Sequence, residues 1–429
     1  MTEITRRKML GTTAAGAFAY AAGPLLAQKG ELPSEKVRVG VMGLSRGRSL
    51  AVSAARLPGV EVAYVCDVDS SRAGAAVAQL EKDTGQSPEP ITDYRRMLDD
   101  KDLDIFVCAA PNHWHAPATI LACNAGKHVY CEKPCSHNPW EGEMMIKAAR
   151  HNDRAVQLGT QRRSSQGFID AIAKLHEGMI GRVYCSRAWY NNIRGSIGTG
   201  QLAEVPGNLN YDLWQGPAPR VPYFDNRLHY NWHWLWHWGN GELGNNGIHS
   251  LDICRWGLGV EFPEQVVSSG GRYAFEDDQQ TPDTNIVTFE FADRKQISWQ
   301  GRSCNRHNDS KAFVSFYGEN GSCELESSGN YRFYDKNDKL IEEDTNSTYT
   351  NEAHIQNLVD AVRAGEHLNL NAEIEIGHRS TLLCHLGNIS YRTKSILTCD
   401  TKNGHILNNE QAENLWKREY EPGWEPKVG

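Results

Sequence analysis

Short apolar runs alternate with longer amphipathic stretches through the first part of the chain. Val37-Arg38-Val39-Gly40-Val41-Met42 reads as a buried strand, and Gly43-Leu44-Ser45-Arg46-Gly47-Arg48 turns from it into a helix reaching about Arg56. Pro58-Gly59 closes that helix, and residues 61–66 form a second strand. Residues 103–109 are a further apolar strand, ending in Pro111-Asn112-His113-Trp114-His115 and a helix to about Ala125. The strand His128–Cys131 runs into Glu132-Lys133-Pro134. Asn138 and Pro139 then sit where a helix N-cap and first helical position belong, and residues 156–159 supply the next strand. Strands alternating with helices at these intervals predict a doubly wound parallel sheet.

Beyond residue 160 the pattern changes. Residues 164–177 read as a helix closed by Gly178, and 182–189 as a strand. A long loop over 191–230 is expected to be functional or mobile, because compact domains rarely keep such segments otherwise. Residues 266–273, 284–291, 297–302, 312–317 and 322–326 are short β-rich runs parted by turns, the pattern of antiparallel strands in one sheet. Residues 351–364 are amphipathic, with Ile355, Leu358, Val359 and Val362 on one side, and 375–395 form another helical run.

The N-terminus belongs to neither half. Thr5-Arg6-Arg7-Lys8-Met9-Leu10 followed by a small, apolar run to Ala22 is a twin-arginine signal pattern, with Pro24-Leu25-Leu26-Ala27 as cleavage region. The expected organisation is a signal peptide over 1–28, a linker over 29–36, a dinucleotide-binding domain over 37–160 and a substrate and oligomerisation domain over 161–429. Export to the periplasm, without a stable membrane anchor after signal removal, is the corresponding localisation. A net charge of -8 over 429 residues, with no long basic run, argues against a nucleic-acid partner. Twelve tryptophans and sixteen tyrosines are a generous supply of rings for stacking on carbohydrate, although rings also fill cores.

The glycine turn is where chemistry enters. In a dinucleotide fold such a turn lets backbone N–H groups and a helix N-terminus approach a pyrophosphate. Gly43, Ser45, Arg46 and Gly47 are the candidates here, although Ser45 replaces the usual second glycine and Arg48 the third. Asp67 ends the second strand, where a carboxylate binds the adenosine ribose and repels a 2′-phosphate, favouring NAD over NADP. Asp69 or Ser70 is left to cap the next helix. Lys133 lies just past a strand's carboxyl end, where ligands bind in open parallel sheets. Cys131 and Cys135 flank it without a second ligand pair, so packing is favoured over metal and no metal is expected. His229, His233 and His237 recur at helical spacing but lack an acidic or cysteine ligand; with Trp232, Trp234, Trp236 and Trp238 they fit an aromatic wall, plain packing or, less well, a metal face. Residues 241–252 open a helix that continues to Trp256, and Asn245, His249, Asp252 and Trp256 fall at i, i+4, i+7 and i+11, one stripe of a single helix face.

The glycine turn, Cys66-Asp67, Pro-Asn-His-Trp-His, Glu132-Lys133-Pro134 and Gly159-Thr160-Gln161 together resemble the glucose–fructose oxidoreductase/inositol dehydrogenase/MocA family, most of all its exported bacterial branch. The resemblance implies an N-terminal Rossmann domain, a C-terminal α+β domain with a large, open, mainly antiparallel sheet, bound NAD(P) and a loop beside the active site. It implies Lys133 and His249 as catalytic residues. Cofactor contacts would come from Gly43, Ser45, Arg46, Gly47, Asp67, Pro111, Asn112, His115, Glu132 and Lys133. Substrate contacts would come from Gln161, Asn245, Asp252, Trp232 and His233. Relatives carry Asp-x3-His on the catalytic helix; here Asn245 holds the aspartate position, and an amide orients a substrate without exchanging a proton. Homo-oligomers through the C-terminal sheet are also expected.

Three functions follow. The first is NAD-dependent oxidation of a hydroxyl on a sugar, polyol or glycoside. The second is redox-neutral hydrolysis, elimination or epimerisation through transient oxidation, which suits an exported protein that retains its cofactor. The third is a carbohydrate-binding protein that keeps the cofactor without turnover, motivated by Asn245.

Overall fold

The computed structural model describes residues 36–307 and 310–429; the twin-arginine segment and the linker up to Glu35 lie outside the described residues. Six parallel strands, β1 (Val37–Met42), β2 (Val60–Cys66), β3 (Glu89–Ile91), β4 (Ile105–Cys108), β5 (His128–Cys131) and β6 (Val156–Leu158), form one sheet in the order β3-β2-β1-β4-β5-β6. The central strands read as unbroken apolar runs because helices cover both faces: every residue of β4, β5 and β6 is buried. The caps fall where local chemistry predicts. Asp69 accepts from the Ser71 N–H at the start of helix Ser70–Thr84, and Asn138 accepts from the Glu141 N–H at the start of helix Pro139–His151.

The second sheet has ten strands. They are β7 (Val183–Asn191), β8 (Gln265–Gly271), β9 (Thr284–Phe291), β10 (Lys295–Arg302), β11 (Val314–Gly318), β12 (Gly321–Leu325), β13 (Tyr331–Asp335), β14 (Leu340–Asp344), β15 (Leu397–Cys399) and β16 (Ile406–Leu407). Their order is β14-β13-β12-β11-β7-β10-β9-β8-β15-β16. Pairing is antiparallel except between β7 and β10. In β9, Val287, Phe289 and Phe291 are buried while Ile286 is exposed, the alternation of a sheet with one covered face. Helices Ile248–Leu258 and Ile374–Thr393 contribute Ile248, Leu251, Leu382 and Leu386 to the same core cluster. The hairpin of β13 and β14 is absent from the apolar pattern because β14 is an exposed, acidic edge.

Late segments return to the first sheet. Helix Asn351–Ala364 buries Ile355, Leu358 and Val359 in one cluster with Val39, Leu50 and Ala51, and the Leu158 N–H donates to the Ala372 carbonyl at 2.9 Å. This packing carries residues 349–352 to the cleft mouth.

The segment expected to be one helix over 245–256 is a π-helical turn, Leu243–Gly247, followed by helix Ile248–Leu258. The wider π turn alters the phase of Asn245 against the α-helix, and within that helix Asp252 is set about 60° round from His249. Asn245 and His249 reach the cleft, whereas Asp252 faces Arg163, whose guanidinium also lies over the Trp256 ring at 4.7 Å.

Candidate active site

A cleft of about 830 Å³ opens at the carboxyl ends of the parallel strands and is closed on the far side by the second half of the chain. This is where open α/β sheets bind ligands. Gly43 forms its floor with φ +88°, and a Cβ there would stand 2.5 Å from the Ala109 carbonyl and the Ala110 nitrogen. Only glycine fits this turn, so the backbone stays free to approach a pyrophosphate. Ser45 and Arg46 line the cleft beside it. Gly47 does not. It is buried, and a Cβ would lie 2.9 Å from Val41 Cγ1, so Gly47 serves close helix–strand packing rather than cofactor contact. The packing glycine thus stands one position before Arg48, where the fingerprint had looked for it.

Asp67 lines the cleft at the end of β2, accepting from the Leu44 N–H at 2.8 Å and the Asp69 N–H at 3.0 Å. Burial raises its carboxyl from the usual carboxylate range, and the two backbone donors and Arg72 oppose that. His229 pairs with Asp69 at 3.0 Å on the same side. A turn that only glycine tolerates and a ribose-height carboxylate fit a dinucleotide.

Glu132 is the buried hub between the two ends. Its Oε1 accepts from Arg46 Nε and Gln161 Nε2, each at 3.1 Å, and Oε2 from the Lys133 N–H at 3.2 Å. Gln161 also donates to the Tyr130 hydroxyl at 2.7 Å. Both hydrogen bonds come from its amide nitrogen, so Gln161 lines the cleft chiefly as an anchor for Glu132, not as the free substrate donor expected. Arg46 reaches on to Asn351 Oδ1 at 2.8 Å. Pro111, Asn112 and His115 line the cleft as well. Asn112 donates to Asn240 Oδ1 at 3.0 Å, and the His115 ring spans the Pro134 and Ala110 carbonyls at 2.6 and 2.7 Å.

Lys133 Nζ donates to the Asn245 carbonyl at 2.7 Å and lies 3.3 Å from Asn245 Oδ1. Burial lowers its ammonium from the ordinary lysine value, with the Glu132 charge pulling the other way. His249 lines the same cleft, and its Nδ1 has no hydrogen-bond partner. Burial, then the positive charges of Arg162, Lys133 and Arg46, hold this imidazole well below its usual value. A neutral imidazole and the Nζ donor of Lys133 face one space, an arrangement that can take a hydroxyl proton and stabilise the oxygen left behind.

Asp252 is not part of the site. It is 1% exposed and bound by Arg163 Nε at 2.7 Å and Nη2 at 2.9 Å, with Ser380 Oγ at 2.6 Å. Lying three residues after His249 on an α-helix, it is rotated off the cleft-facing line. The three evenly spaced histidines also part company. His229 goes to Asp69, His233 Nδ1 to the Tyr230 carbonyl at 2.6 Å, and His237 Nε2 to the Pro219 carbonyl at 2.9 Å, so no metal face forms among them. Trp232 stacks on His233 with ring centroids 3.6 Å apart, and both line the cleft; Trp234 and Trp238 are buried packing. Cys131 and Cys135 are fully buried. Sequence reasoning missed Arg162, Tyr230, Asn246, Tyr349 and Asn351, all of which line the cleft. Arg162 directly follows Gln161, and that adjacency was the one available signal.

Residues 37–160 match the model described as "Oxidoreductase family, NAD-binding Rossmann fold", and residues 186–426 match "Oxidoreductase family, C-terminal alpha/beta domain". Inositol 2-dehydrogenase of Salmonella typhimurium is 34% identical over 147 residues, 34% of this chain and 42% of that enzyme. A glycosyl hydrolase family 109 protein of Saccharopolyspora erythraea is 29% identical over 256 residues, 52% of this chain and 55% of that protein. The chain thus spans about half the length of the curated relatives it matches. A solved levoglucosan dehydrogenase, in complex with NADH and levoglucosan, shares the fold with a TM-score of 0.64 at 18% identity, covering 84% of this chain and 99% of that one. Both domain matches together span most of the sequence, and the chain belongs to the Gfo/Idh/MocA oxidoreductase family, with an NAD-binding Rossmann domain followed by the family's C-terminal alpha/beta domain.

Proposed function

We propose that this protein oxidises a hydroxyl of a sugar, polyol or glycoside by hydride transfer to NAD. The observation that carries this reading is the convergence of Lys133 and His249 on one cleft, with Asn245 holding the lysine. NAD, when bound, supplies the hydride acceptor; Gly43, Ser45, Arg46 and Asp67 would hold it, and Asp67 disfavours a 2′-phosphate. Lys133 Nζ donates a hydrogen bond to the reacting oxygen and stabilises its developing negative charge. The neutral His249 imidazole accepts the hydroxyl proton. Asn245 fixes Nζ through its carbonyl groups, a task that needs no exchangeable proton, so its replacement of an aspartate is compatible with turnover. Trp232 and His233 offer a stacked aromatic surface to the sugar ring.

Incubating the purified protein with NAD and a panel of sugars, polyols and glycosides tests this: NADH absorbance rises with at least one compound. A protein that binds sugars but turns none over is instead the non-catalytic form of the fold.

A second reading is favoured by the longer match to a glycosyl hydrolase family 109 protein. Here oxidation is transient. The carbonyl acidifies the adjacent C–H, the aglycone leaves by elimination, water adds, and the hydride is returned. Released aglycone without net NADH distinguishes it. Export through the twin-arginine signal and pairing of subunits through the C-terminal sheet complete the proposal; reporter fusion of residues 1–40 and light scattering test them, and a monomeric mass rejects the pairing.

A further inference from the structure

Arg162 stands on the short turn Gln161–Ser164 that follows β6. The sheet order runs from β2 through β1, β4 and β5 to β6, so Arg162 lies on the side of Lys133 away from Asp67. Its charge acts on both Lys133 and His249, so on the carbohydrate reading it belongs to the substrate end of the cleft. Its guanidinium lies over the Phe313 ring at 4.5 Å and the Tyr349 ring at 5.0 Å. Rings hold the guanidinium without consuming any of its N–H donors, which stay available to a ligand in the cleft.

Among the described residues no carboxylate pairs with Arg162, and its buried Nε has no hydrogen-bond partner. The neighbouring Arg163 consumes Asp252. The four carboxylates that line the cleft are engaged elsewhere: Glu132 by Arg46, Asp93 by Arg95, Glu352 by Ser53 Oγ and Arg56, and Asp67 by two backbone N–H groups. Burial lowers the guanidinium from its usual value, with Tyr349 and the more distant Asp252 charge pulling the other way. The side chain is half-buried with its Nε fully enclosed, and a partly desolvated charge of this kind is costly unless a ligand completes it.

We infer that Arg162 is a receptor for an oxyanion on the substrate, so the preferred substrate is an anionic carbohydrate, bearing a carboxylate, sulfate ester or phosphate ester. The inference rests on the carbohydrate reading above. A planar guanidinium held by rings suits two parallel N–H···O bonds to such a group. Lys133 remains free for the reacting hydroxyl.

The test is calorimetric binding of matched probes to the NAD-loaded protein: glucose against glucuronate, glucose 6-sulfate and glucose 6-phosphate, with NADH formation followed in parallel. At least one anionic probe should bind about 10- to 100-fold more tightly than glucose; which one does so identifies the oxyanion. In Arg162→Gln that ratio should collapse towards one, and Arg162→Lys should keep part of it, with NAD binding intact in both. An equal Kd for charged and neutral probes, no binding by any of them, or a ratio unchanged in Arg162→Gln overturns the inference. NADH formed from glucose with no anionic preference overturns it while leaving the oxidoreductase reading in place. Anionic preference without NADH keeps the inference and removes net oxidation.

Discussion

Lys133 Nζ donates to the backbone carbonyl of Asn245 at 2.7 Å across a separation of 112 residues, joining the turn after β5 to the π-helical turn that opens the helix of His249. The two halves of the chain meet chemically at this bond, and the proposed oxidation predicts that turnover depends on it. Lys133→Met removes the cation at the reacting oxygen while keeping the stem's volume. It should lower kcat by about 10²- to 10³-fold, as loss of one oxyanion donor does. NAD affinity, read by titration calorimetry, should stay within a few-fold. A parallel collapse of NAD binding would show that the lysine serves the cofactor alone.

The pH profile should carry the signs of both groups. In the proposed reaction His249 acts in its neutral form, and its imidazole is held well below the usual value. The acid limb of kcat/KM should therefore fall below the free-histidine pKa of about 6.5. Lys133 acts as a cation with a lowered ammonium value, so activity should be lost below the ordinary lysine value of about 10.4 as pH rises. A bell centred in the neutral-to-mildly-alkaline range is expected, and Lys133→Arg should move its alkaline limb upward in whatever activity remains.

The parts legible in the sequence were those set by local rules. A strand, a glycine turn and a helix are contiguous, so Gly43, Asp67 and Lys133 could be placed from their neighbours. Asn245 and His249 were found because π and α spacing nearly agree over one turn. Asp252 was misplaced because three residues past His249 on an α-helix is about 60° round the axis, enough to turn it to Arg163, an acid–base pairing that nothing local announces. Tyr349 and Asn351 were missed for a different reason. They reach the cleft only because helix Asn351–Ala364 packs back on the first sheet, a long-range choice made by Ile355, Leu358 and Val359. Arg162 was missed because its meaning lies in the acid it lacks, which only a folded structure shows.

Asp252 gives the sharpest test of that correction. Replacing it with alanine leaves Arg163 buried and uncompensated, which should cost about 3–5 kcal/mol of stability. Chemical denaturation measures it. KM for the substrate should change little at temperatures where the variant stays folded. A raised KM with undiminished stability would return Asp252 to the substrate site.

Asp67 should set cofactor choice. Its carboxylate would repel a 2′-phosphate and accept from the adenosine ribose. Asp67→Ser should weaken NAD by about tenfold, the value of one charge-assisted hydrogen bond, and narrow the gap to NADP. The variant also loses acceptors for the Leu44 and Asp69 N–H groups, so its melting temperature should be followed alongside the two Kd values.

Acid should unfold this protein through its histidines before its carboxylates. Burial holds His354 and His378 to about 4 and His385 to about 3, and it lowers His113, His137 and His249 well below the usual value. In the unfolded chain each titrates near 6.5. Between that value and about 4 the unfolded state binds more protons, so stability rises with pH and is lost on acidification. Each such histidine contributes about 1.4 kcal/mol per pH unit across the window. Glu141 and Asp67, whose carboxyls burial raises, take up protons in the folded state and offset part of the slope. Carboxylates with lowered values, such as Asp277 at about 2, act only below the window. Melting temperature should therefore fall steeply from pH 6.5 to pH 5, values set by the free imidazole near 6.5 and the buried ones near 4. His354 makes the test specific: it is fully buried between Ser164 Oγ and the Leu158 carbonyl, and His354→Gln cannot titrate. That variant should be less stable at neutral pH, with a slope shallower by about one proton. An unchanged slope would mean that this ring is already charged in the folded protein.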